Sequence, residues 1–238
     1  MEPTLYQYIH YRGGVSRLLG EHLDLLRAAA SALFNLTPSL DERKVHEAIA
    51  QRIAAERFSA SISLFVRIEL SSTGQLTLRS VEPSLYDGYT LRSLHPATTP
   101  LIYDHPFHIR WTTAAEAADR LAEEVARAHG ADGALRCTAD KIVLGWGAAP
   151  LFALRGRELY TSEEPQTVEA RLFVQAAEQL GIKLHLHPLH TEELPRYDEL
   201  LAVDHRGITA IGSCDGQPFI ALKAERIAAE MERIVTVR

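Results

Sequence analysis

Residues 140–161 read DKIVLGWGAAPLFALRGRELYT, and this stretch decides the fold prediction. Two short apolar runs, Lys141–Leu144 and Leu151–Leu154, predict two strands, because each is apolar over strand length and bounded by glycine, proline or charged residues. Gly156 follows the second run and marks a turn. The stretch therefore predicts a pair of adjacent strands.

Further strands and helices are predicted on both sides of this pair. Alternating apolar residues predict strands at 4–11, 61–70 and 75–81, and the strand at 61–70 is expected to bury one face. Pro165 and Gly181 bound a predicted helix, because proline is common at a helix start and glycine just after its end. The other predicted elements are a helix at 18–33, strands at 133–136, 182–189 and 199–203, a helical turn at 191–194, a strand ending at the turn Asp215-Gly216 and a helix at 222–234.

Two capping boxes predict where helices begin. Residues 39–42 read Ser-Leu-Asp-Glu and residues 113–116 read Thr-Ala-Ala-Glu. In this motif the first hydroxyl and the last carboxylate each bond an amide that the helix leaves unpaired. The second helix carries its apolar residues on one side, namely Ala117, Leu121, Val125 and Ala128.

Residues 83–106 separate the two halves of the predicted pattern. They hold four prolines and no sustained periodicity, so they predict extended chain connecting two domains. Strands and helices on either side do not alternate strictly. The order therefore favours an α+β fold over a doubly wound sheet.

Composition excludes several classes of protein. The 238 residues are 46% hydrophobic and 24% charged, which is ordinary for a globular protein, and the net charge of -6 argues against a nucleic-acid partner. Cys137 and Cys214 form no C-x-x-C motif, which suits a reducing cytoplasm. No secretory leader and no apolar run of about 20 residues is evident. We therefore expect a cytoplasmic protein that binds no membrane.

The quoted stretch also has the skeleton of a known cofactor-binding strand pair. The spacing of L-E-G-x-x-S-N-L-F-x-x-x-x-G-x-L-x-T is kept by Leu144, Leu151, Phe152, Gly156, Leu159 and Thr161. Residues 206–219, RGITAIGSCDGQPF, are similar to R-G-V-x-P-V-x-x-I-D-G-R-P-F. Through both segments the chain resembles the class IV pyridoxal-phosphate aminotransferases, which include branched-chain and D-amino-acid aminotransferases and aminodeoxychorismate lyase.

The resemblance implies an architecture. It is the two-domain D-amino-acid aminotransferase-like fold of pyridoxal-phosphate enzymes. We expect an N-terminal α/β domain at residues 1–105 and a C-terminal domain with a barrel-like mixed sheet at residues 106–238. The resemblance further implies a homodimer, in which the partner subunit completes each cleft.

The chain departs from the family pattern at positions that hold the cofactor. Gly145 stands where an acidic residue is expected, and Pro150 where an asparagine is expected. Gly20 falls where many members carry an arginine that contacts the cofactor phosphate. Glu169 lies in the position of the G-I-T motif at a helix start, where its charge would oppose a phosphate. Arg110 aligns with the lysine that forms the Schiff base.

Arg110 decides the prediction of activity. Transamination on pyridoxal phosphate needs a lysine amine, and a guanidinium is no substitute because it stays protonated. No lysine of the chain matches the motif; the four are Lys44, Lys141, Lys183 and Lys223. We predict no catalytic residue and no cofactor, hence a non-transaminating homologue or pseudoenzyme. The alternative is an active pyridoxal-phosphate aminotransferase or lyase with a divergent site and a displaced lysine.

Five residues are candidates for binding a small anionic or amino-acid-like ligand. Arg67 lies in a strand that resembles the family's Y-x-R strand, whose arginine can face the substrate carboxylate; the alternative is a solvent-side or ion-paired arginine on an amphipathic strand. His105 and His108 lie close to Arg110 in sequence and offer acid–base groups or anion contacts; the alternative is a loop pair ordered by ordinary hydrogen bonds. Thr209 belongs to the motif at residues 206–219.

Histidines are plentiful but predict no metal site. His185 and His187 project from the same face of a predicted strand, a spacing that can bind zinc. No cysteine or carboxylate lies within that strand. The polar face of a half-exposed strand is the favoured interpretation, and a metal-dependent activity is the weaker hypothesis.

Overall fold

The computed structural model describes residues 3–59, 61–84, 88–92 and 94–237. Contacts divide the chain into two compact units. Unit one comprises residues 1–88 and 111–114, and unit two comprises residues 89–110 and 115–238. The domain boundary expected between residues 105 and 106 stays a prediction.

Unit one contains an antiparallel sheet and two helices. The strand order is β2-β1-β3-β4, and β1 pairs with β3 along its length, from Leu5 opposite Leu70 to Tyr11 opposite Leu64. Its elements are β1 (Leu5–Arg12), β2 (Val15–Ser16), α1 (Leu19–Phe34), α2 (Glu42–Ala55), β3 (Leu64–Leu70) and β4 (Leu76–Pro83). The predicted strands and the helix at 18–33 are confirmed within two or three residues at each end.

Two details of unit one differ from the prediction. The cap of α2 is Asp41, whose side chain accepts a hydrogen bond from the Lys44 N–H at 3.0 Å; Ser39 lies too early, because the helix begins only at Glu42. β3 is buried on both faces and not on one. It lies between β1 and β4, and its polar residues Arg67 and Glu69 are buried because they pair with each other.

Unit two is built on a large mixed sheet. The strand order is β15-β14-β6-β7-β8-β9-β12-β13-β5, and β10 connects β9 to β11. Its strands are β5 (Leu91–Arg92), β6 (Ala97–Ile102), β7 (Gly133–Cys137), β8 (Val143–Trp146), β9 (Ala149–Arg155), β10 (Glu158–Thr161), β11 (Lys183–Leu186), β12 (Glu199–Asp204), β13 (Gly207–Ala210), β14 (Ser213–Cys214) and β15 (Gln217–Pro218). Its helices are α3 (Thr113–Ala128), α4 (Val168–Gln179), α5 (Ala224–Val237) and the 3₁₀ turns Pro106–His108 and Thr191–Arg196.

The strand pair predicted from residues 140–161 is confirmed as β8 and β9. The two strands are antiparallel, with Gly145 opposite Pro150 and Trp146 opposite Ala149. The expectation of extended connection at 83–106 was wrong for β6, which lies between β14 and β7 despite Pro100. Its parallel pairing with β7 is a long-range contact that local periodicity does not report.

Helix α3 turns its predicted apolar side to solvent. Leu121 is 67% exposed and Val125 38% exposed. The buried positions are instead Ala115, Asp119, Ala122 and Ala126. The helix therefore delivers a carboxylate, Asp119, to the interior of unit two.

Helix α4 starts later than the sequence suggested. Its N-cap is Thr167, whose hydroxyl accepts a hydrogen bond from the Ala170 N–H at 3.2 Å, so Pro165 precedes the helix and does not begin it. Among the described residues, none of the helices is both long and apolar enough to cross a bilayer.

Candidate functional site

Two buried arginines and two partly exposed carboxylates form a charged cluster in unit two. Arg110 and Arg136 are only 4% and 2% exposed. Arg110 Nη2 donates to Glu163 Oε2, and Arg136 Nη2 lies 3.7 Å from the same oxygen. Arg136 Nη1 donates to Asp104 Oδ1 at 3.2 Å. These four residues, Arg110, Arg136, Asp104 and Glu163, are called the arginine cluster below.

The fold positions the arginine cluster from three directions. Arg136 lies in β7, a fully buried strand between β6 and β8. Arg110 precedes α3, and Glu163 follows β10 by two residues. Burial lowers the pKa of Arg110. The carboxylate of Glu163 raises this pKa, and the positive charge of Arg136 lowers it further. Two like charges are thus held together chiefly by carboxylates that are partly exposed.

One side of the Arg136 guanidinium is not satisfied by protein groups. Among the described residues, neither Nε nor Nη2 has a hydrogen-bond partner, although both atoms are buried. The residue opposite Arg136 on β8 is Gly145. A Cβ at Gly145 would lie 2.4 Å from the carbonyl oxygen of Ala149, so this backbone does not accept an acidic side chain there without moving. Buried donors without acceptors are costly and rare in proteins.

A second polar group adjoins the arginine cluster through Asp104. Asp119 Oδ1 accepts from the Tyr103 hydroxyl at 2.9 Å and lies 2.7 Å from His105 Nε2. The His105 backbone N–H donates to Asp104 Oδ1 at 2.7 Å. Burial, more than the charge of Asp119, raises the pKa of Tyr103, which keeps its hydroxyl a donor. His105 is therefore positioned as a neighbour of the arginine cluster.

The predicted ligand residues are distributed unevenly. His105 and Arg110 lie together in unit two, and His105 Nδ1 is buried without a hydrogen-bond partner among the described residues. His108 has an 85% exposed side chain whose Nδ1 lies 3.0 Å from Asp104 Oδ2, so it borders the arginine cluster from outside. Thr209 is buried in β13 opposite Ala202, and its role in binding stays a prediction.

Arg67 belongs to unit one and is held by its own neighbours there. It is 9% exposed, and Nε donates to Glu69 Oε1 at 2.8 Å. Nη1 donates to the Tyr8 hydroxyl at 2.9 Å, and the guanidinium carbon lies 4.3 Å from the centre of the Tyr6 ring. This environment matches the ion-paired alternative considered from the sequence. Ligand binding by Arg67 stays a prediction.

Glu169 lies buried in the first turn of α4. Desolvation raises the pKa of its carboxyl to about 7, while a hydrogen bond with its own backbone N–H acts in the opposite direction. Asp204 raises the pKa further and Arg171 lowers it. The Thr167 hydroxyl accepts from the Ala170 N–H and the Glu169 carboxyl from its own N–H, so side chains at the start of α4 already occupy two amides of this helix end.

The four lysines lie at the surface. Lys44, Lys141 and Lys183 are exposed, and Lys223 is half-buried with Nζ donating to the carbonyl oxygen of Gly156. His185 Nε2 pairs with Glu158 Oε2, and His187 Nε2 lies 3.9 Å from Glu193 Oε2. No group of three metal-ligating side chains is present in the described part of the chain.

Sequence reasoning missed most of the partners of Arg110. Arg136 lies within the apolar run Gly133–Cys137, where a buried charge signals a specific partner. Glu163, Asp104 and Asp119 carry no comparable signal. These residues are tens of positions apart in the chain, and the long-range pairing of β6, β7 and β8 brings them together.

Comparison with known proteins identifies the family. The model of the class IV aminotransferases matches residues 4–204, and the chain belongs to this family. No curated protein sequence gives a match. The mixed α/β fold of the family, with its curled half-barrel sheet, is confirmed by solved structures that resemble the chain.

Three solved structures illustrate the likeness. A branched-chain aminotransferase from Thermoproteus uzoniensis with norvaline shares 21% identity at a TM-score of 0.78, covering 98% of this chain and 85% of that one. A hypothetical aminotransferase from Mycobacterium tuberculosis bound to alpha-ketoglutarate and PMP shares 18% at 0.79, covering 99% and 90%. The Escherichia coli branched-chain enzyme shares 16% at 0.75, covering 94% and 83%.

Proposed function

We propose that this chain is a class IV aminotransferase homologue that does not transaminate and that binds a small anion at the arginine cluster. The observation that carries the proposal is the buried guanidinium pair. Arg110 stands at the position that the family resemblance gives to the Schiff-base lysine, and Arg136 keeps two buried donors without acceptors among the described residues.

The residues present do not fit pyridoxal phosphate at its reactive end. The guanidinium of Arg110 stays protonated even in a site that lowers its pKa, and it is not a nucleophile. It is also engaged with Glu163. Each lysine lies at the surface on a helix, turn or strand that the family motif does not include.

The fit is equally poor at the phosphate end. A helix N-terminus attracts a phosphate because its first amides are unpaired. Here the Ala170 N–H is taken by Thr167, and the carboxyl of Glu169 is buried in the same turn. An arriving phosphate would meet a carboxyl that ionises near neutral pH, and repulsion between the two anions opposes binding.

The arginine cluster offers an alternative for a small anion. A carboxylate or sulfate oxygen accepting from Arg136 Nε and Nη2 would satisfy donors that the protein leaves unmet, and charge-assisted hydrogen bonds are the strong ones. Glu163 lies between solvent and the arginines in this role, because its side chain is 35% exposed and already forms an ion pair with Arg110. The ligand must compete with this carboxylate, which favours a dianion over a monoanion.

Titration with malonate tests the proposal. We expect the Nε–H signal of Arg136 to shift saturably in an ¹⁵N–¹H NMR spectrum, while the neutral malonamide produces no such shift. Because Arg136→Met removes this reporter, its effect is read at the backbone amides of residues 110 and 163, whose saturable shifts should disappear. Arg120→Met, which removes an exposed arginine of α3, leaves the shifts intact. An absence of any saturable shift up to about 10 mM malonate, which bounds the binding free energy at about 3 kcal/mol, would contradict the assignment.

A further inference from the structure

A cleft on unit two is lined by none of the residues of the arginine cluster. Its volume is about 210 Å³. The lining side chains combine aromatic rings with charged groups: Arg155, Tyr160, His187, Glu193, Arg196 and Tyr197. None of them belongs to the ligand-binding residues discussed above.

Strand pairing places the aromatic wall of this cleft. Tyr160 of β10 lies opposite His185 of β11, and the two rings stack at 5.2 Å between centroids. Tyr197 follows the 3₁₀ turn and lies 5.4 Å from Tyr160, while His187 meets Tyr160 edge-on at 6.2 Å. These spacings are typical of interacting aromatic pairs. Tyr160 is thus the centre of an aromatic cluster that borders the cleft.

The charges around the cleft leave one cation unneutralised. Arg196 Nη1 donates to Glu193 Oε1 at 2.9 Å, and His187 Nε2 lies 3.9 Å from the other oxygen of Glu193. Arg155, in contrast, is exposed, and its side chain forms no hydrogen bond or ion pair with any described residue. Its side chain and Tyr160 project from the same face of the sheet, since Glu158 opposite Arg155 and Tyr160 are two residues apart.

We propose that this cleft binds a single-ring aromatic carboxylate, with the ring against Tyr160 and Tyr197 and the carboxylate on Arg155. The volume of the cleft supports a ligand with one ring, because pockets that bind drug-sized ligands are larger, at about 300–1,000 Å³. The charge supports a monoanion, since Arg155 is the unpaired cation and Arg196 is already matched by Glu193. An aromatic face next to a guanidinium favours a ligand that is both planar and anionic over a ligand that has only one of these properties. The inference does not depend on the function proposed for the arginine cluster.

Phenylacetate is the probe for this site. In ¹⁵N–¹H spectra of the full chain we expect saturable shifts at the amides of residues 155, 160 and 197, and at least tenfold weaker binding of the neutral phenylacetamide. Arg155→Gln weakens the affinity roughly tenfold, as expected for one charge-assisted pair, and Tyr160→Leu weakens it roughly fivefold. Arg157→Gln, at a neighbouring exposed arginine outside the cleft, changes it less than twofold.

Other outcomes would overturn the assignment. Shifts confined to the arginine cluster would place phenylacetate elsewhere. Equal effects of Arg155→Gln and Arg157→Gln would show that Arg155 is not the group that binds the carboxylate. Equal binding of cyclohexylacetate would remove the role of the rings. Equal binding of inorganic phosphate would show a site for anions in general. Because all three variants are at exposed or half-buried positions, their folded state is checked by the unchanged remainder of the spectrum.

Discussion

Glu163→Gln lowers the free energy of unfolding by about 2 kcal/mol, because among the described residues it leaves Asp104 as the one remaining ion-pair partner of the two buried guanidiniums. Breaking a fully buried pair costs about 3–5 kcal/mol, and the partial exposure of Glu163 reduces that figure. Arg110→Met should cost less than about 1 kcal/mol, since it removes one of two like charges and Glu163 still reaches water. Urea denaturation measures both values.

Sulfate provides the control for the role of charge. Glu124→Gln, which breaks an exposed pair with Arg127 on α3, should change stability by less than about 0.5 kcal/mol. If the arginine cluster binds anions, sulfate stabilises Glu163→Gln more than it stabilises either the parent chain or Glu124→Gln, beyond the general effect of this salt. Equal losses in the two variants, or equal gains from sulfate, would show that Glu163 does not balance the arginines.

Glu169→Gln raises the stability of the chain above neutral pH and removes a pH dependence. The pKa of the Glu169 carboxyl is raised from 4.5 to about 7 in the folded state, so the folded state holds a proton that the unfolded state loses. Stability therefore falls as the pH rises from about 4.5 to about 7 and is constant beyond. The full shift corresponds to up to about 3 kcal/mol at pH 8, which the neutral amide recovers.

The difference between the two stability curves isolates this carboxyl. Unfolding by urea is measured from pH 4.5 to pH 8 for the parent chain and Glu169→Gln, with Glu178→Gln as an exposed control on the same helix. We expect the two curves to converge at the acid end and to separate as the pH rises. Parallel curves, or an equal effect of Glu178→Gln, would contradict the prediction, because they would mean that burial does not shift the pKa of Glu169.

Local patterns predicted the elements whose signals are local. The pair β8 and β9, the helix α1 and the hairpin at Asp215-Gly216 follow from apolar runs and turn residues. The pattern Ser-Leu-Asp-Glu predicts Ser39 as a cap, but the cap is Asp41 because α2 begins at Glu42, and the pattern does not fix that register. β6 was missed because its partners, β7 and β14, are distant in sequence.

The candidate site was predictable only in part for a related reason. Arg110 and His105 were found through family resemblance and sequence proximity. Arg136 was not, although it lies opposite Gly145 of the stretch that decides the fold, and two of its buried donors have no hydrogen-bond partner among the described residues. The helix α3 was assigned an apolar side from its pattern, yet the side that faces inward carries Asp119. Which face of a helix is buried depends on the surrounding sheet and not on the helix alone.

The most direct test of the account asks whether any lysine holds pyridoxal phosphate. The purified chain is incubated with one equivalent of the cofactor, dialysed and reduced with borohydride, and each lysine peptide is measured by mass spectrometry, with the urea-unfolded chain as control. We predict no visible absorbance after dialysis and only trace labelling, spread over the four lysines as in the unfolded control. Stoichiometric labelling of one lysine in the folded chain, with a retained visible band, would contradict it.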